Sequence, residues 1–152
     1  MRTDQHAFDP VHLVRDVSAR ATVAVGLAGI GLIHLLDSIG KYSETRYLFW
    51  MYVALIVGSL ATAGGVLFSR ARIWFVAAGV LAASAVIGFV LSRTTGLPSA
   101  SDDIGNWTEP LGLASLFVEG AVLAVSAAAY VVLPTRATAT RKLRAVVLAE
   151  AA

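Results

Sequence analysis

An all-α bundle of four membrane-spanning helices is the fold class this sequence predicts, and three observations predict it. Hydrophobic residues fill 57% of the 152 positions and charged residues 14%, far from the balance of a soluble domain. The apolar residues gather into four runs, each close to the roughly 20 residues that cross a hydrocarbon core of about 30 Å. Within those runs polar and apolar residues do not alternate, as they would along the strands of a closed barrel. The whole chain, 1–152, reads as one membrane domain.

The elements follow in order. Asp9 as N-cap and Pro10 as first helical residue open an amphipathic segment with Val11, Val14 and Val17 as its apolar stripe. The first span is expected over about 21–39, the second over 47–68, the third over 73–91 and the fourth over 111–133. The first has no small-x-small cleavage site, so it reads as an uncleaved span and not an export signal. Tyr42, Tyr47, Phe49 and Trp50 at the start of span two, and Trp74 and Phe75 at the start of span three, sit where interfacial aromatic belts belong. Small residues recur at helical spacing (Gly26 and Gly29, Gly64 and Gly65, Gly79 and Ala83, Gly120 and Ala124) and predict close helix contacts. Pro134 stops span four, and 140–150 mixes Arg141, Lys142 and Arg144 with Leu143, Val146 and Val147 as a second short amphipathic helix.

Lysine and arginine set the orientation. Arg2, Arg15, Arg20, Arg70, Arg72, Arg136, Arg141, Lys142 and Arg144 lie on one side, and Lys41, Arg46 and Arg93 on the other. The positive-inside rule therefore predicts both termini in the cytoplasm. Asp37, Glu44, Asp102, Asp103, Glu109 and Glu119 fall on or near the opposite, outer side, where they favour cations.

Several function classes are excluded. There is no cysteine, hence no disulfide, thiolate metal site or cysteine nucleophile. A formal net charge of +2, with the basic residues beside apolar runs, argues against a nucleic-acid partner. Phosphate loops and Gly-x-Ser-x-Gly elbows are missing from the sequence.

The informative residues are those placed at membrane depth, where an ionisable group is costly and turns toward the bundle interior. His34 and Glu119 qualify, about 8 Å and about 12 Å below the outer surface at 1.5 Å per residue, with Asp37 one turn above His34 and Arg93 closing span three. Glu119 is expected to accept a hydrogen bond from His34, or a charge-assisted one from Arg93, locking the helices together. The same four residues can instead make a polar site open to the outer face. If that site holds a metal, its ligands are His34, Asp37 and Glu119, and zinc, manganese or ferrous iron suits them; copper(I) lacks thiolates and finds only Met1 and Met51. The outer loop 92–110 is longer than usual for a bundle, with Gly96 and Pro98 predicting a fixed turn and Trp107 a return to the interface.

His34, Tyr42, Glu44, the run Arg93-Thr94-Thr95-Gly96-Leu97-Pro98, the run Glu109-Pro110-Leu111-Gly112 and Glu119 together resemble a family of small, uncharacterised four-helix membrane proteins of bacteria. The likeness covers about 31–119, and its most specific piece is the Arg-Thr-x-Gly-Leu-Pro outer turn. The resemblance implies the bundle fold, a bacterial cytoplasmic (inner) membrane location, and these residues as notable positions, but no activity and no cofactor. Lys41 stands where some members carry a histidine, which weighs against a shared two-histidine metal site.

Without a complete catalytic set, the leading expectation is a non-enzymatic accessory or assembly subunit whose outer loop and helix faces bind other membrane proteins or a second copy. An outward-facing metal or proton site at His34, Asp37, Arg93 and Glu119 is the alternative. A lipid- or quinone-directed enzyme with Arg93 as anion contact comes third. The bilayer itself is a partner in all three.

Overall fold

A computed structural model describes residues 10–132. The described residues form α1 (Pro10–Asp37), α2 (Lys41–Glu44), α3 (Arg46–Phe68), α4 (Ile73–Thr94) and α5 (Pro110–Val132), with a single isolated β-bridge and no strand. The four long helices are long and apolar enough to cross a bilayer. They comprise a helical membrane bundle, α1 lying against α3 and α5, α4 against α5, and α3 more lightly against α4. The expected C-terminal amphipathic segment and the Asp9 cap lie outside the described residues.

Each boundary has a local cause. Pro10 occupies the first helical position, where its missing N–H costs nothing. The N-terminal amphipathic segment is helical and runs without a break into the first span, giving a helix of 28 residues, about 42 Å long. That helix ends at Asp37 and the chain reverses at Gly40, whose φ of 98° is left-handed. The single turn of α2 was not foreseen in the sequence; it carries the chain over the top of α3 and into Thr45. At its other end α3 is closed by Arg20 of α1, whose Nη1 donates to the carbonyls of Val66 at 2.8 Å and Ser69 at 2.7 Å. A guanidinium there satisfies orphan carbonyls and meets the negative end of the helix dipole. Asp16 holds Arg20 in place from one turn earlier, with Nε–Oδ1 at 3.0 Å, and the guanidinium stacks over Phe75.

Packing differs between the two halves of the bundle. Toward the Arg20 end the interior is a continuous apolar core that includes Val23, Leu27, Ile30, Val66, Phe75, Ala78 and Val122. Lipid is as apolar as these side chains, so close backbone approach and van der Waals contact hold the helices together, not the hydrophobic effect. Gly26 shows this: a Cβ built there would lie 2.3 Å from Val122, so α1 and α5 touch where only hydrogen fits. Gly65 does the same beneath the ring of Trp74, joining α3 to α4. Gly64 and Gly120, also predicted as contact points, meet nothing.

The α3/α4 seam is closed at Gly65 with Trp74 and again at Gly58 with Leu81. The next step of this antiparallel register pairs Met51 with Gly88, and there the helices part around a cavity. A Cβ on Gly88 meets nothing within 4 Å, while Met51 and Ile87 are 60% and 58% exposed. The cavity therefore opens sideways between α3 and α4, at the end of the bundle opposite Arg20.

Candidate functional site

The cavity has a volume of about 410 Å³ and is walled by α1, α3, α4 and α5 and roofed by the loop between α4 and α5. His34, Asp37, Arg93 and Glu119 all line it. So do Tyr52, Lys41, Asp103 and Ser115, which the sequence did not single out as site residues.

The inner wall is the His34 and Glu119 pair. Nδ1 of His34 lies 2.9 Å from the carbonyl oxygen of Ile30, which can only accept, so Nδ1 carries a hydrogen. That fixes the ring and turns Nε2 toward Oε1 of Glu119, 3.9 Å away. The separation suits an ion pair but is too long for the direct hydrogen bond the sequence led us to expect. Glu119 takes its hydrogen bond from Ser115, one turn earlier on α5, at 2.6 Å. Its other oxygen, Oε2, is buried and has no partner, and the residue is 1% exposed. A partnerless carboxylate oxygen at this depth is expensive, so the arrangement is held by the surrounding helices.

Asp37 does not join that pair. Its Oδ2 accepts the hydroxyl of Tyr52 at 2.8 Å, tying α1 to α3. The Tyr52 ring stands edge-on to His34, centroids 5.1 Å apart, and so links the two halves of the wall. A tyrosine at membrane depth needs a partner for its hydroxyl, and that need was the readable clue to this contact. Among the described residues no group of three His, Asp or Glu side chains converges to hold a metal ion. Of His34, Asp37 and Glu119, the ligands named for the case that a metal is bound, Glu119 accepts from Ser115 and Asp37 from Tyr52.

Arg93 belongs to the roof. It is 5% exposed, and its Nη1 meets Oδ1 of Asp103 at 2.8 Å while Nη2 pairs with Glu109. Its carbonyl accepts from Gly105 N–H at 2.9 Å, and its guanidinium stacks on Phe89. The charge-assisted bond to Glu119, the other arrangement the sequence allowed, is absent; the terminal nitrogens of Arg93 meet Asp103 and Glu109 of the loop instead. Nε of Arg93 remains buried without a partner.

The remaining loop candidates complete the roof. Gly96, with φ 76°, ends α4 by donating its N–H to Leu91 at 2.9 Å. Leu97 and Ala100 then exchange both backbone hydrogen bonds around Pro98 and Ser99. Pro98 stands at the second position of this turn, and Ser99 at the third with φ 58°, the sign a type II turn requires. The carbonyl of Pro98 accepts the Tyr47 hydroxyl at 2.7 Å, fastening the turn to α3. Trp107 packs edge-on against Phe89, whose ring sits so close to Gly112 that a Cβ there would lie 2.5 Å away. Glu44 stands apart, exposed and paired only with Lys41 at 3.4 Å.

The cavity wall carries four acidic side chains (Asp37, Asp103, Glu109 and Glu119) against two basic ones, Lys41 and Arg93, with His34 beside Glu119. Formally it holds a surplus of negative charge, and most of its remaining lining is apolar. No family model, curated protein or solved structure matches the chain.

Proposed function

We propose that this chain is a membrane protein that binds a small amphiphilic organic cation, drawn from the bilayer into the cavity through the gap between α3 and α4. The observation that carries this reading is the anionic surplus of an otherwise apolar cavity, with Glu119 bearing an unpartnered oxygen behind His34. A volume of about 410 Å³ falls within the roughly 300–1,000 Å³ of small-molecule sites. Apolar walls favour a hydrocarbon body. The carboxylates of Asp37 and Glu119, with the ring of Tyr52, favour a positively charged head that donates hydrogen bonds. An accessory subunit that docks partners through its loop has no need of such a lining, which is why binding is preferred to assembly here.

Calorimetric titration of decylammonium into protein held in lipid nanodiscs, against empty nanodiscs, tests the reading. Saturable binding should appear and should weaken about tenfold or more in Glu119→Gln, a loss of about 1.4 kcal/mol. Equal binding of decanol or decyl sulfate, or unchanged affinity in Glu119→Gln, would refute it.

The orientation we propose, in a bacterial cytoplasmic membrane, has both termini inside and the cavity end outside, following the nine basic residues against three. The cysteine-free chain makes this easy to check. With a membrane-impermeant maleimide on intact cells, Ser101→Cys should be labelled and Arg70→Cys should not; the reverse pattern would invert the topology.

A further inference from the structure

Nδ1 of His34 donates its hydrogen to the carbonyl of Ile30 at 2.9 Å. A neutral ring in that tautomer presents the lone pair of Nε2 to Oε1 of Glu119, 3.9 Å away, and a carboxylate presents only lone pairs in return. Two acceptors would then face each other between packed helices. One proton removes the conflict: on Nε2 it makes an ion pair, and on the carboxyl group it leaves both partners neutral. In either place the pair holds one proton more than a neutral imidazole beside a bare carboxylate, and it carries no net charge.

The other charged or titratable groups of the cavity are engaged elsewhere. On α1, Asp37 accepts the hydroxyl of Tyr52 from α3 at 2.8 Å. Lys41 of α2 turns to Glu44 at 3.4 Å. Arg93 of α4 spends its terminal nitrogens on Asp103 and Glu109 of the roof. Among the described residues, the only hydrogen-bond donor to Glu119 is Ser115, which is uncharged. Positive charge near Glu119 therefore comes from a proton on His34 or from whatever occupies the cavity.

His34 is the member of the pair that an occupant meets. It lines the cavity with 12% of its side chain exposed, against 1% for Glu119. A cationic head seated on Asp37 or on Tyr52 has His34 as its next neighbour, the Tyr52 and His34 ring centroids being 5.1 Å apart. Two unit positive charges about 6 Å apart, at an effective dielectric of about 20, disfavour each other roughly hundredfold. With the proton on Glu119 instead, the same field favours its departure. No contact between the cation and the buried carboxylate is needed.

We propose that the His34 and Glu119 pair holds one dissociable proton and that the organic cation displaces it, so that loading the cavity exchanges one cation for one proton. The proton leaves to solvent as the cation enters, and the net charge of the cavity is unchanged. This rests on the cation reading of the cavity and adds its coupling to pH. Because the two positive charges compete, affinity for the cation falls as pH falls, by up to about tenfold per pH unit when a full proton is exchanged.

Calorimetric titration of decylammonium into nanodisc-held protein tests the exchange when repeated in phosphate and in Tris, and over about pH 5 to 8. Their different heats of ionisation make the difference in measured enthalpy a count of the protons released. Wild type should release a large part of one proton per cation and bind more weakly toward low pH. Glu119→Gln, checked for folding by circular dichroism, should release none and lose the pH dependence. Asp37→Asn should bind more weakly at every pH but still release the proton. Saturable binding by wild type with the same enthalpy in both buffers and no pH dependence would overturn the exchange and leave the cation reading standing. Release that persists in Glu119→Gln, or disappears in Asp37→Asn, would also overturn it, by placing the proton on another group. Absence of saturable binding at every pH would sink both the cation reading and the exchange.

Discussion

At the scale of single residues, Arg93 carries more of the architecture than any other charge at its end of the bundle. It binds Asp103 and Glu109 through its side chain and Gly105 through its carbonyl, so one residue gathers a 15-residue connection into a roof. Removing a buried member of such a network costs about 3–5 kcal/mol when the partners stay buried. Asp103 and Glu109 keep 42% and 34% of their side chains exposed, so the lower end applies. We expect Arg93→Gln to destabilise the protein by about 2–3 kcal/mol and Glu109→Gln by clearly less, as read by SDS-induced unfolding in mixed micelles. Equal effects would mean that the packing on Phe89, and not the ion pairs, holds the roof. The sequence made Arg93 conspicuous as a charge at a span end, but not its partners: several carboxylates lay within reach of it, and the turn at Gly96 decides which of them it meets.

At the scale of elements, interior glycines set how closely the helices approach. Gly26→Ala pushes a methyl group into Val122 and should cost about 1–3 kcal/mol. Val122→Ala in the same chain should restore much of that loss, and the non-additivity should be visible in a double-mutant cycle. Additive losses would show that α1 and α5 do not meet there. Spans and their approximate ends were legible because length and apolarity are local properties: the expected second span, 47–68, coincides with α3 to within one residue. Which small residues face a neighbour was not legible. A helix that is apolar all round has no polar face to mark its outside, so Gly26 at a contact and Gly120 in open space look alike in sequence. The candidate site was legible to the same extent. His34, Asp37, Arg93 and Glu119 were conspicuous because each is a costly group near an apolar run. How they divide depends on Tyr52 and Ser115 in the wall and on Asp103 and Glu109 in the roof, and spacing along the chain does not say which of these each would meet.

At the scale of the whole molecule, the bundle is tight at one end and splayed at the other, and the splay makes the cavity. Gly88 faces that space, so Gly88→Leu should leave the unfolding midpoint within a few degrees of wild type while abolishing decylammonium binding. A large fall in stability would mean the helices close at this level in the membrane. The sideways opening has a further consequence, because the gap between α3 and α4 faces the hydrocarbon of the bilayer. The reservoir that feeds the site is then the bilayer, and occupancy follows the ligand's mole fraction among the lipids. Referred to the aqueous concentration, apparent affinity should climb with each methylene of the alkyl chain by about 0.8 kcal/mol, roughly fourfold, because partitioning improves by that amount. Referred to the lipid phase, the same series should be nearly flat: chain length would govern how much ligand reaches the protein, and the charged head how long it stays.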